Sequence, residues 1–405
     1  MKKPTIISAG PLSHLRVLDM STFVAGPYCA RLLAGLGAEV IKIEEPVCGD
    51  LSRQCGPFIG DVPHNEGSAL FSYLNGGKKS VTLDIKCIEG KQILEKLIRS
   101  SGVIIESLGP RRKAEMQISN DLWMNINPEL IITSITNFGN TGPKCGRPAT
   151  ELTLLAEGGY LFLGGKSGQE PLKPHGYQGH YTGGLQAAIA TLTALFHRRI
   201  TGKGQTIELS LQEAVAFLMN DAAPVYVQSG VIYRRYGSRV ATSDFYKHYS
   251  GNLLPCKDGY VFVAIGQNPQ MAAFLMSEPR FERPEFWDES SNNADEIDDV
   301  CIRWLQKRTR EQATLEAQEV GLAIAPAYTL EELLDNPHLR ERKIFNDALS
   351  ERGNFTTLPA LPFSMTHGSI LNLNPPSLGE HNHEVLSQVG IRQEDLSRLK
   401  SIGVL

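Results

Sequence analysis

The stretch LRVLDMSTFVAGPYCARLLAGLGAEVIKIE (15–44) constrains the fold more than any other part of the chain. LRVLDM (15–20) is a short apolar run, and EVIKIE (39–44) alternates as a second strand. Between them AGPYCARLLAGLGA (25–38) has Pro27 suited to a first helical turn, with Leu32, Leu33 and Leu36 marking one face. Two strands flanking one helix in about 30 residues form a β-α-β unit, which lays its strands parallel. The turn after the first strand reads FVAGP, without the glycine spacing of a dinucleotide fingerprint, so NAD binding is not expected.

The alternation continues. A helix is expected over 88–101, strands over 102–107 and 130–136, and a helix over 184–199 with Leu185, Ile189, Leu192 and Leu195/Phe196 at helical spacing. TGKGQTIELSLQEAVAFLMN (201–220) reads as a turn, a strand and another helix. TGKGQ lacks the spacing of a phosphate-binding loop, and a tight helix-to-strand turn accounts for it better. Beyond about residue 225 the alternation weakens: NLLPCKDGYVFVAIG reads as a hairpin, followed by helical pieces. The chain therefore divides into a large Rossmann-like part over 1–224, a smaller α+β domain over 225–327, and a helical, proline-punctuated segment over 328–405.

A chain of 405 residues is long enough for two or three domains with real cores. A net charge of −4, with no long basic run, argues against a nucleic-acid surface, and the triplet Arg111-Arg112-Lys113 suffices only for a small anion. Seven cysteines without CxxC spacing read as reduced thiols in the cytoplasm, not as disulfides or a zinc site. No stretch has a signal peptide's apolar core or approaches a membrane span.

Six phrases, in order from residue 15 to 390, resemble the class III CoA-transferases, the formyl-CoA and carnitine-CoA transferase family that also includes the α-methylacyl-CoA racemases. They are the 15–44 stretch, NGGKKSVTLDIK, ITNFGNTGP, RRITGKGQTIELSLQEA, GLAIAPAYTLEELLDNPHLRERKIF and LGEHNHEVLSQVG. The resemblance implies CoA thioesters as substrates, no metal, and two identical chains interlocked like links. It also implies that the 328–405 segment returns to the large part, and it implies a function, CoA transfer between carboxylic acids. Two alternatives remain: a CoA-thioester binding protein that has lost transfer, and an acyl-CoA racemase or isomerase.

The same resemblance carries CoA contacts onto Phe23, Val24 and Ala25, onto Lys78 and Lys79, onto Ser107, Leu108, Arg111 and Arg112, and onto Asn137. Lysines after glycines, as at 78 and 79, offer charge and exposed amides together. Ser107 and Leu108 replace the family's usual pair at the adenine loop and Arg111 its glycine, and two further positions depart. Glu45 and Glu115 stand where cations reach CoA phosphates, and the neighbouring Arg111, Arg112 and Lys113 are the compensating charges.

The family's transferases use one aspartate at a small-residue turn into a helix. Aligning GHYTGGLQAA (179–188) on that turn places His180 at the aspartate, with Gly179, Thr182, Gly183 and Gly184 keeping the turn's shape. Three readings follow: His180 as acyl carrier or general base, Glu151 as the carboxylate in its place, or binding without covalent chemistry. The racemases place a histidine at the Thr150 position and an aspartate at the His180 position, so racemisation is disfavoured. His175 reads as surface. His381 and His383 suggest a metal pair, but the family carries a similar LGEH phrase without one. The loop RRYGSRVATSDFYKHYS (234–250) is expected to select the acyl group.

Overall fold

The structure is a computed structural model that describes residues 10–233, 235–239, 249–287, 293–349, 355–365 and 374–405. It divides into two compact units. One comprises Met1–Gly158, His175–Ala216 and His338–Leu405; the other comprises Gly159–Pro174 and Phe217–Pro337. The second unit thus begins eight residues before the expected 225 and takes in a separate piece of chain before α7 (Gln178–Thr201). Part of the expected acyl-selecting loop, 234 and 240–248, lies outside the described residues.

The first unit is built on six parallel strands: β1 (Arg16–Met20), β2 (Glu39–Glu44), β3 (Lys79–Thr82), β4 (Val103–Glu106), β5 (Ile131–Thr136) and β6 (Gln205–Ser210). Their order is β3-β2-β1-β4-β5-β6, the doubly wound order of Rossmann folds. Because alternate side chains of a strand point to opposite faces, one run of apolar residues builds two cores. Val17, Val40, Val103 and Ile105 pack with α1 (Ala25–Gly35) and α7. Leu18, Ile41, Ile104 and Ile132 pack on the other face with Ile93, Leu94 and Leu97 and with the C-terminal Leu386, Leu396 and Leu399.

Further helices of this unit are α2 (Ala69–Asn75), α3 (Ile88–Arg99), α4 (Gly109–Glu115), α5 (Asn120–Ile126), α6 (Glu151–Glu157) and α8 (Leu211–Ala216), with two more, Asn382–Gln388 and Gln393–Ser401, near the C-terminus. Gly202, with φ +70°, ends α7 in the left-handed region and starts the turn into β6, which explains TGKGQ as chain reversal. His381, part of the tempting histidine pair, accepts a hydrogen bond at Nδ1 from Ser80 N–H (3.3 Å), tying the tail to β3.

The second unit has its own core around Phe281, Trp287, Val261, Val263 and Ile324. Its antiparallel sheet joins Asn252–Cys256, Gly259–Ala264 and Ala323–Pro326, so NLLPCKDGYVFVAIG is a hairpin. No described helix is long and apolar enough to cross a membrane.

Candidate active site

In an open parallel sheet, ligands settle beyond the carboxyl ends of the strands where the winding reverses, here between β1 and β4. A cleft of about 680 Å³ opens there, lined by Phe23 and Ala25 after β1, Ser107 and Leu108 after β4, Asn137 and Phe138 after β5, and His180. Arg111, Arg112 and Arg147 also line it. A smaller cavity of about 160 Å³ shares the wall formed by Ser107, Leu108 and Arg112.

His180 lies in the first turn of α7, whose own N-cap, Tyr177, supplies no side-chain hydrogen bond. The missing cap comes from another helix. Thr150 and Thr153 form a capping box that starts α6, which puts Glu151 in its first turn, pointing at the start of α7. Gly179 N–H and His180 N–H donate to Glu151 Oε1 (2.8 Å) and Oε2 (3.3 Å). His180 Nδ1 lies 2.6 Å from the same Oε2. Burial would push the Glu151 carboxyl up, but His180 and the two amides outweigh it and hold it below the usual carboxylate range. Glu151 is therefore ionised, His180 Nδ1 carries the shared hydrogen, and Nε2 is the ring's remaining base. Both side chains are nearly enclosed, His180 at 8% and Glu151 at 4% exposure.

The glycines at the start of α7 have a packing reason. A Cβ on Gly179 would come within 3.4 Å of both Glu151 oxygens, and one on Gly184 within 2.5 Å of the Ala25 carbonyl. Small residues let α7 lie against α1 and α6 closely enough for His180 to meet Glu151.

Phe23 closes the other side of the imidazole. Its ring stands edge-on to His180 at 5.2 Å and to Tyr177 at 5.0 Å. Phe23 has φ +75°, a strained value for a residue with a side chain, costing about 1–3 kcal/mol. Polar anchors hold it: Thr22 N–H donates to Ser107 Oγ (3.0 Å) and Phe23 N–H to Asp50 Oδ1 (3.2 Å). Asp50 is fixed by Lys42 Nζ at 2.8 Å, which also donates to the Ser21 carbonyl.

Of the residues expected to contact CoA, the cleft gathers Phe23, Ala25, Ser107, Leu108, Arg111, Arg112 and Asn137. It does not gather Val24, which is fully buried. Lys78 and Lys79 also require correction. Lys78 is 3% exposed, and its Nζ donates to Asp19 (2.8 Å), to Asn75 (2.9 Å) and to the Pro27 carbonyl (2.8 Å). Burial pushes its ammonium down to about 8 despite the Asp19 charge. Lys79 starts β3 at the opposite end of the sheet from the cleft, bridging Glu39 and Glu384 at 2.7 Å each. Both ammonium groups are already spent on protein carboxylates.

Glu45 pairs with Lys86 (2.8 Å) and Glu115 with Arg111 (2.9 Å). Lys113 is turned inward to Glu106 (2.6 Å). The cleft's cations are thus Arg111, Arg112 and Arg147, and Arg147 is the one the sequence reading missed. Its place three residues before the capping box of Glu151 was the available signal.

A Rossmann-type sheet whose switch-point cleft is lined by an imidazole, itself paired with an ionised carboxylate behind it, is the frame of an α/β enzyme. The chain belongs to CoA-transferase family III, whose profile matches residues 12–382. It is 31% identical to the BbsE subunit of the succinyl-CoA:(R)-benzylsuccinate CoA-transferase of Thauera aromatica, covering 97% of this chain and 98% of that one. It is likewise 31% identical to the alpha subunit of the succinyl-CoA–L-malate CoA-transferase of Chloroflexus aurantiacus, over 96% of this chain and 92% of that one. The crystal structure of a CAIB/BAIF family protein from Brucella suis superposes with a TM-score of 0.82 at 27% identity, covering 94% of this chain and 100% of the other. The protein is an enzyme that transfers CoA between carboxylic acids.

Proposed function

We propose that an acyl-CoA lies in the switch-point cleft with its phosphates toward Arg111, Arg112 and Arg147 and its thioester at His180, and that His180 carries the acyl group. One observation carries this reading: Nδ1 is engaged by an ionised Glu151 at 2.6 Å while the ring lines the cleft. Nε2 attacks the thioester carbonyl, the C–S bond breaks, and CoA leaves as thiolate. The resulting N-acyl-imidazole keeps its Nδ1 hydrogen and is cationic, so the carboxylate beside it stabilises the charge. The acceptor carboxylate takes the acyl group as a mixed anhydride. CoA thiolate then opens that anhydride at the acceptor's carbonyl, releasing the donor acid. Glu151 itself is a poor candidate for the nucleophile, because three donors already occupy its oxygens.

Both relatives carry succinyl-CoA in their names, and we take succinyl-CoA as the donor and a small dicarboxylic acid as the acceptor. The test is CoA exchange from succinyl-CoA to L-malate and to benzylsuccinate. His180→Gln should lose transfer, and replacing Arg112 and Arg147 with alanine should weaken CoA binding. Full transfer by His180→Gln would pass the chemistry to another group. CoA binding with no turnover by any acceptor would establish the binding-protein alternative.

The working assembly is a dimer of this chain. An exposed apolar stripe along α7, Leu185, Ile189, Phe196 and Ile200, supports it, since such a patch marks an interface. The seven cysteines are free thiols, in keeping with a cytoplasmic enzyme.

A further inference from the structure

We propose that the Glu151–His180 pair gives this chain a second activity, the hydrolysis of acyl-CoA thioesters by water. The inference rests on the reading that the cleft holds acyl-CoA. Its reason lies in what the two acceptors require. A carboxylate acceptor arrives already deprotonated, so CoA transfer makes no use of a general base. Water must lose a proton as it attacks, and an imidazole oriented by a buried carboxylate is the group that takes it.

The geometry supplies that group. Glu151 Oε2 engages Nδ1 at 2.6 Å and leaves Nε2 as the basic nitrogen, with no protein partner among the described residues. The two backbone amides at the start of α7 fix the carboxylate, and Phe23 holds the ring edge-on from the side. The cleft's lining residues include one carboxylate, Glu115, which is paired with Arg111, and no cysteine. The acyl group therefore meets no protein nucleophile there that is better placed than the imidazole or the water beside it.

The hydrolytic step competes with acylation of the imidazole: where water rather than Nε2 reaches the thioester carbonyl, Nε2 takes a proton from that water and the oxygen bonds to the carbonyl carbon. The C–S bond then breaks, and the proton held on Nε2 passes to the departing sulfur. One acyl-CoA and one water give one carboxylic acid and one CoA, with no oxidant, metal or second substrate. His180 is the catalytic residue and Glu151 a positioning residue that acts through it.

The experiment incubates the purified full chain with succinyl-CoA and no acceptor acid, and quantifies CoA and succinate by chromatography. The two products are expected in equal amounts, at a rate about 10²–10⁴-fold above that of His180→Ala and of the better-packing His180→Gln. Glu151→Gln should lower kcat at least tenfold with KM unchanged, and Glu151→Asp should recover part of the loss; a merely structural role would not divide the constants this way. Melting temperatures identify any variant that fails to fold, and the remaining variants then decide. Titration calorimetry with CoA separates the two readings. If CoA binds but wild type releases succinate only with an acceptor present, or as slowly as the His180 variants, the hydrolytic inference falls alone. If CoA does not bind, the reading of the cleft falls and this inference with it.

Discussion

At the scale of single residues, one carboxylate holds two jobs. Glu151 caps a helix that has no cap of its own and orients the imidazole that helix carries. Removing its charge should therefore cost stability as well as activity, about 1 kcal/mol from the cap alone. The sign of the pH dependence follows from the direction of its shift. A carboxyl held below its ordinary value stabilises the fold above the unfolded value of about 4.3, and that contribution is lost as pH falls through the folded value. Urea unfolding of wild type and Glu151→Gln should differ most near pH 7 and converge toward pH 3; a gap that stays constant with pH would contradict the ionised cap. Lys78 makes the converse case. The lysine that a glycine-rich turn presents as a ligand for phosphate is a structural ion, and Lys78→Ala would leave the buried Asp19 with Lys42 at 3.6 Å as its nearby cation and the Ser21 amide and hydroxyl as donors. Breaking such a buried pair costs about 3–5 kcal/mol. The expected outcome is a large drop in urea midpoint, with CoA affinity unchanged in the protein that remains folded.

At the scale of elements, the start of α7 is set by how closely it can approach its neighbours. An alanine in a helix interior is ordinarily better than glycine by about 0.5–1 kcal/mol. At Gly184 the sign should reverse, because the added Cβ would sit 2.5 Å from the Ala25 backbone carbonyl, which cannot rotate away. Gly184→Ala should destabilise by about 1–3 kcal/mol and lower kcat by moving His180 relative to Phe23. An unchanged melting temperature and unchanged turnover would show that the contact relaxes freely. The opposite wall depends on the strained Phe23, held through Asp50 and Lys42, so the rim of the cleft is braced by ions buried behind it rather than by the residues that line it.

At the scale of the whole molecule, the apolar stripe on α7 has no covering partner among the described residues. Phe196 is 67% and Ile200 70% exposed, both on a helix whose other face lies in the sheet core. Phe196→Lys should shift the protein from the proposed dimer toward monomer in mass photometry at nanomolar concentration. Wild type that is monomeric under the same conditions would overturn the proposed assembly.

The sequence by itself determined the β-α-β alternation, the parallel sheet and the family. The first two follow from local rules: side-chain direction repeats with the backbone, so apolar spacing reports helix or strand wherever it occurs; the family came from the resemblance of six ordered phrases. It also singled out His180 and Glu151, each on the motif that carries it. Only the tertiary structure decided that the two touch, 29 residues apart, and that Glu151 caps the helix of His180. It likewise decided that Lys78 meets Asp19, 59 residues away, and that Arg147 rather than either lysine faces the cleft. Ion pairs and caps of this kind depend on which distant segments the sheet order brings together. No spacing along the chain encodes that meeting, because the energy of a buried charge is fixed by whatever partner the fold places beside it.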